Sequence, residues 1–163
     1  MEKNNWIDFM YDFERKTYDS TNWWTTMGGA PTEDATGLKL SASSASMLGD
    51  FRKGDMEMKM IIPTTPTAGN FRQWGWREGG NGAYALFQIS GTTFSLEAGD
   101  GDGNTTSVAS TWSESWTNTP TKFRIQWDAS GFTFFAGTQK LGKISAASGL
   151  PIGRVMAPFF LNN

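Results

Sequence analysis

Alternation of apolar and polar residues at a period of two, broken at short intervals by turn formers, is the feature that most restricts this chain. Phe123, Ile125 and Trp127 alternate with Arg124, Gln126 and Asp128, and the turn Asp128-Ala129-Ser130-Gly131 sends Phe132 to Ala136 back as a hairpin partner. Met56, Met58, Met60 and Ile62 alternate with Glu57 and Lys59 and stop at Pro63. Further strands are expected at Phe71 to Trp76, Tyr84 to Ser90, Thr92 to Glu97, Lys140 to Ile144 and Val155 to Leu161, the last with an edge or bulge at Pro158. Helical spacing is almost absent, because Gly, Ser or Thr interrupts nearly every window of helical length. Many short strands imply an all-β fold, an antiparallel two-sheet β-sandwich of the jelly-roll kind. With no internal repeat and no Pro/Gly-rich linker, residues 1–163 are expected to form a single domain.

Composition excludes several function classes. Histidine and cysteine are both absent, which removes serine triads, cysteine–histidine dyads, zinc hydrolases and disulfides. The formal net charge is -2 with 18% charged residues, so the basic footprint of a nucleic-acid binder is missing. No segment approaches the roughly 18 apolar residues of a membrane span, and MEKNNWIDFMYDFERK lacks the apolar run of a signal peptide, so a cytoplasmic or virion location is expected.

The order of local patterns resembles the concanavalin A-like lectin/glucanase superfamily, which includes laminin-G-like modules and family 16 glucanases. The resemblance rests on Tyr11 to Glu14 (YDFE) followed by Trp23-Trp24, on Gly54 to Ile62 (GDMEMKMII), on the hairpin Phe123 to Leu141 (FRIQWDASGFTFFAGTQKL) and on the closing Pro151 to Asn163 (PIGRVMAPFFLNN). It implies a concanavalin A-like sandwich. The superfamily's glucanases place two Glu and an Asp at alternate or near-alternate positions of one strand, so that nucleophile and acid flank one glycosidic bond roughly 5 Å apart. That cluster does not carry over: Glu57 stands among Met and Lys, Glu97 precedes a loop, and Glu78 and Glu114 fall in expected turns. The chain is therefore expected not to be an enzyme.

Two candidate sites follow from residue type and spacing. In a strand, Arg72, Trp74 and Trp76 share one face, and two indoles in line with a guanidinium would make a platform for sugar rings. Trp112 and Trp116 would rim the same face. The tip Asp100-Gly101-Asp102-Gly103-Asn104 places oxygen ligands Asp100, Asp102 and Asn104 at alternate positions, as calcium loops do, although the same string is a good hairpin turn; no other cofactor is implied. The methionine stripe Met56, Met58, Met60 reads as core.

The function expected first is a carbohydrate-binding or adhesion module, with glycans or other copies of the chain as partners, possible assembly into a homo-oligomer, no nucleic acid and no membrane span. A structural virion protein and a degenerate glycoside hydrolase are the alternatives. One oddity concerns Trp6-Ile7-Asp8-Phe9, which matches the family's usual closing strand but stands near the N-terminus. Trp6 to Met10 is expected to fill that strand's place, by permutation or by donation to a neighbouring subunit.

Overall fold

A computed structural model describes residues 24–28, 32–34, 37–39, 43–47, 54–78, 82–145 and 156–162. The strands are β1 (Trp24–Gly28), β2 (Thr32–Asp34), β3 (Gly37–Lys39), β4 (Ser43–Met47), β5 (Gly54–Met60), β6 (Phe71–Arg77), β7 (Tyr84–Ser90), β8 (Thr93–Gly99), β9 (Thr105–Ser110), β10 (Thr121–Asp128), β11 (Gly131–Ala136), β12 (Gln139–Ser145) and β13 (Ala157–Asn162). A single 3-10 turn, Glu114–Trp116, is the only helical element among the described residues. Seven strands form one sheet in the order β1-β4-β13-β6-β7-β8-β9, four form a second in the order β12-β11-β10-β5, and β2 and β3 make a separate hairpin. Every strand pair within these sheets is antiparallel. The expected all-β, two-sheet jelly roll is the observed one.

Side-chain alternation decides which face of each sheet is buried. On β10, Phe123, Ile125 and Trp127 point to the core while Arg124 and Gln126 stay partly exposed. The large sheet answers with Trp74 and Trp76 from β6, Ala85, Phe87 and Ile89 from β7, and Phe94, Leu96 and Ala98 from β8. The rings interlock: Trp74 stands edge-on to Phe123 at 5.1 Å, Phe87 edge-on to Phe134 at 5.2 Å, and Trp76 edge-on to Trp127 at 5.8 Å. Met56 and Met58 lie in this core, as the stripe implies, with Met60 partly buried against it.

The outer face of the small sheet is a charge ladder. Lys122 pairs with Glu57 at 2.7 Å, Arg124 lies 3.3 Å from Asp55, and the Arg124 guanidinium covers the Phe135 ring at 4.5 Å. Asp55 and Glu57, two acidic residues at alternate positions of one strand, are thus each held by a cation of β10.

Two details differ from expectation. β13 is an interior strand, flanked by β4 and β6, yet its pairing with β4 begins only at Phe159 whereas Pro158 already faces Trp76. Proline is accommodated because, among the described residues, the ladder with β4 has ended there and no bond from an N–H at position 158 is called for. β9, with the sequence TTSVAS, carries no apolar alternation and forms through its ladder with β8. The string Trp6 to Met10 lies outside the described residues.

Candidate functional site

The tryptophans expected to form a sugar platform are placed elsewhere. Trp74 and Trp76 are 1% and 3% exposed, between the sheets, and Trp116 is 8% exposed in the same cluster. Trp112 is partly buried against that cluster, edge-on to Phe94 and Trp116, and its indole N–H donates to Thr117 Oγ1 at 3.0 Å. Alternation did put Arg72, Trp74 and Trp76 on one face, but it is the inward face, because burying two indoles removes more apolar surface from water than burying Gln73 would. Arg72, at the margin of that face, donates to Thr64 Oγ1 at 3.2 Å, and burial lowers its pKa.

The acidic tip is tied up by its own loop. Asp100 Oδ1 accepts the backbone N–H groups of Asp102 (2.8 Å) and Asn104 (3.2 Å), and its Oδ2 accepts from the Asn104 side-chain amide. These bonds, the Asn104 side-chain bond foremost, hold the Asp100 carboxyl below the usual aspartate range. Among the described residues no group of three or more acidic, His or Cys side chains is placed to hold a metal ion.

The polar cluster of interest lies on the opposite face of the large sheet, turned away from the small one. Register sets its rows. One row runs Phe159, Gly75, Leu86, Glu97, Ser107 across β13, β6, β7, β8 and β9. Beside it run Leu161, Gln73, Gln88, Ser95, Ala109 on one flank and, from β6 onward, Arg77, Tyr84, Gly99, Thr105 on the other.

Glu97 is the hub of the cluster. Its Oε1 accepts from Gln88 Nε2 at 2.7 Å, Ser95 Oγ at 3.1 Å and Ser107 Oγ at 3.3 Å, while Gln73 Nε2 donates to Gln88 Oε1. Glu97 Oε2 has no hydrogen-bond partner among the described residues. The three donors fix one carboxylate oxygen and leave the other free to meet a ligand.

Next to this carboxylate the face is apolar. Leu86 is 1% exposed yet stands apart from the inter-sheet cluster, and Phe159 is buried beneath the Arg77 guanidinium, which lies 4.9 Å from its ring centre. Gly75 between them has φ +150°, and a Cβ there would come 2.3 Å from the Ala85 carbonyl oxygen, so the position admits no side chain. Tyr84 closes the row above, its hydroxyl 2.8 Å from Thr105 Oγ1 and its ring against the Gly99 backbone. The alternation of Ser95 and Glu97 against Phe94, Leu96 and Ala98 marked this face in the sequence; nothing local marked Gln73 and Gln88 as partners, since they meet only through strand pairing.

No family model and no curated protein matches the chain. Solved structures do. It is similar to the β-glucanase of Bacillus licheniformis (TM-score 0.63, 11% identity, covering 90% of this chain and 82% of that one). It is similar to a glycoside hydrolase family 16 endo-glucanase of Bacteroides ovatus (TM-score 0.66, 12% identity, 93% and 84% covered). A Crh5 transglycosylase also superposes (TM-score 0.66, 14% identity, 90% and 65% covered). These neighbours overturn the expectation that the chain is not an enzyme, because glucanases and a transglycosylase are built on this fold. The chain therefore has the concanavalin A-like jelly-roll fold of the family 16 glucanases.

Proposed function

We propose that this chain is a carbohydrate-active protein that seats a β-linked glucan on the outer face of its large sheet, with Glu97 as its proton-transfer residue. The observation that carries this reading is the placement of Glu97: one oxygen is held by three donors, and the other is without a protein partner among the described residues. Sugar rings are edged with hydroxyls, so a face that sets the partly exposed Gln73, Gln88, Glu97 and Tyr84 side by side matches their hydrogen-bonding chemistry. Solved neighbours that are a β-glucanase and an endo-glucanase support a glucan over other polymers.

The free Oε2 can accept a proton from water or a sugar hydroxyl, or, once protonated, give it to a glycosidic oxygen. Two-carboxylate hydrolysis needs a second acid roughly 5–9.5 Å away. The register neighbours of Glu97 on this face, Leu86, Ser107, Gln88, Ser95, Tyr84 and Gly99, include none. The chemistry proposed therefore centres on Glu97.

The test is incubation of the full chain with β-linked glucose oligosaccharides, read by mass spectrometry for shortened or transferred products and by NMR for binding. Products that disappear in Glu97→Gln, together with ligand-induced shifts at Gln73, Gln88 and Tyr84, are expected. Absence of both products and shifts would refute the reading.

A further inference from the structure

We infer that Gln73 is a specificity-determining acceptor whose orientation is imposed by Glu97 through Gln88; the ligand part of this inference rests on the glucan reading above. The argument is one of hydrogen-bond polarity. An ionised carboxylate only accepts, so the Gln88 atom facing Glu97 at 2.7 Å must be its N–H donor. The amide of Gln88 is planar and two-ended, which turns its carbonyl oxygen toward β6. Gln73 must then offer its own N–H to that oxygen, as it does. Its carbonyl Oε1 is left as the outward end of the chain and has no hydrogen bond among the described residues.

Two side-chain amides of indifferent polarity thus become a directed relay, and the charge on Glu97 decides what Gln73 presents two strands away. Neighbouring strands lie about 4.8 Å apart, so β6 and β8 present acceptors about 10 Å from one another. The groups flanking the relay do not reverse it: Ser95 and Ser107 both donate to Glu97, and Leu161 on the far side of Gln73 has no polar group to offer. Both ends of the relay call for ligand hydroxyls acting as donors. A fluorine in place of a hydroxyl, or an anionic substituent, cannot satisfy them.

Gln73 acts as a positioning residue for the ligand. The protein-only test is NMR of the labelled full chain, following solvent exchange of the Gln73 and Gln88 side-chain amide protons. One protected proton is expected on each amide, and the Gln73 protection should fall in Gln88→Leu, which leaves Glu97 and Gln73 in place, and in Glu97→Leu. Unchanged Gln73 protection in both variants, with backbone spectra showing each folded, would overturn the relay.

The ligand test uses a β-linked glucose tetrasaccharide and its singly deoxyfluorinated analogues. Loss of one neutral hydrogen bond should weaken binding about threefold to tenfold for at least one analogue, and the penalty should vanish in Gln73→Leu. A penalty that persists in Gln73→Leu overturns the acceptor role. If the tetrasaccharide itself fails to bind, the glucan reading falls and the ligand role of Gln73 with it, while the amide measurements still decide the relay.

Discussion

The Trp74 indole stacks on the Phe87 ring across the β6–β7 pair, with ring centroids 5.4 Å apart and planes at 19°. The same indole meets Phe94 and Phe123, so one side chain ties three strands of the large sheet to the small one. Trp74→Ala should cost about 3–5 kcal/mol, the usual penalty for emptying a large aromatic site. Because the Trp74 Nε1 is buried without a hydrogen-bond partner among the described residues, Trp74→Phe loses no hydrogen bond and should cost distinctly less. Urea denaturation of the two variants checks the order; equal penalties would contradict the assigned packing.

Gly75→Ala should destabilise the chain although it adds only a methyl group. The new Cβ would press on the Ala85 carbonyl and on the Ile125 side chain in a backbone region that L-residues rarely adopt. A loss of about 1–3 kcal/mol is expected from strain of this kind, measured by the same denaturation. A neutral or stabilising result would show that β6 relaxes there.

Calcium chelation should leave the melting temperature unchanged, since both oxygens of Asp100 are already engaged by the tip itself. Thermal unfolding with and without calcium tests this. A calcium-dependent rise lost in Asp102→Ala would mean that the loop reopens to hold the ion.

Asp100 and Asp128 should titrate below ordinary aspartates. For Asp128 the main cause is the hydrogen bond from the Ser130 hydroxyl, followed by the Ser130 backbone N–H at 2.7 Å. With the folded value depressed, the contribution of each to stability is present above the unfolded aspartate pKa and is lost as pH falls through the lower folded value. Carboxyl-carbon NMR titration reads both directly, and Ser130→Ala should return Asp128 toward the ordinary range.

Much of the fold was legible because period-two alternation reports burial without knowledge of neighbours. Tyr84 to Ser90 was placed to the residue, and the hairpin Phe123 to Ala136 fell on β10 and β11. The sense of that alternation was not legible: Trp74 and Trp76 share a face with Arg72, but which face turns inward depends on what the opposing sheet offers, here Phe123 and Trp127. The candidate site was hidden for a related reason. Glu97, Gln88 and Gln73 lie on three different strands, and only their register brings one carboxylate and two amides into a line. The TTSVAS strand escaped because, at a sheet edge, backbone pairing rather than side-chain burial holds it.

The interior position of β13 sets an order of events during synthesis. Both halves of the large sheet, β1 with β4 and β6 through β9, are translated before the strand that joins them. Until residues 157–162 leave the ribosome, β6 exposes an unpaired edge beside Trp74 and Trp76, and closure then pairs Phe159 with Ser46, a contact of very long sequence separation. The nascent chain therefore passes through an open-edged state in which a chaperone or a second nascent chain can compete for the gap that β13 will fill.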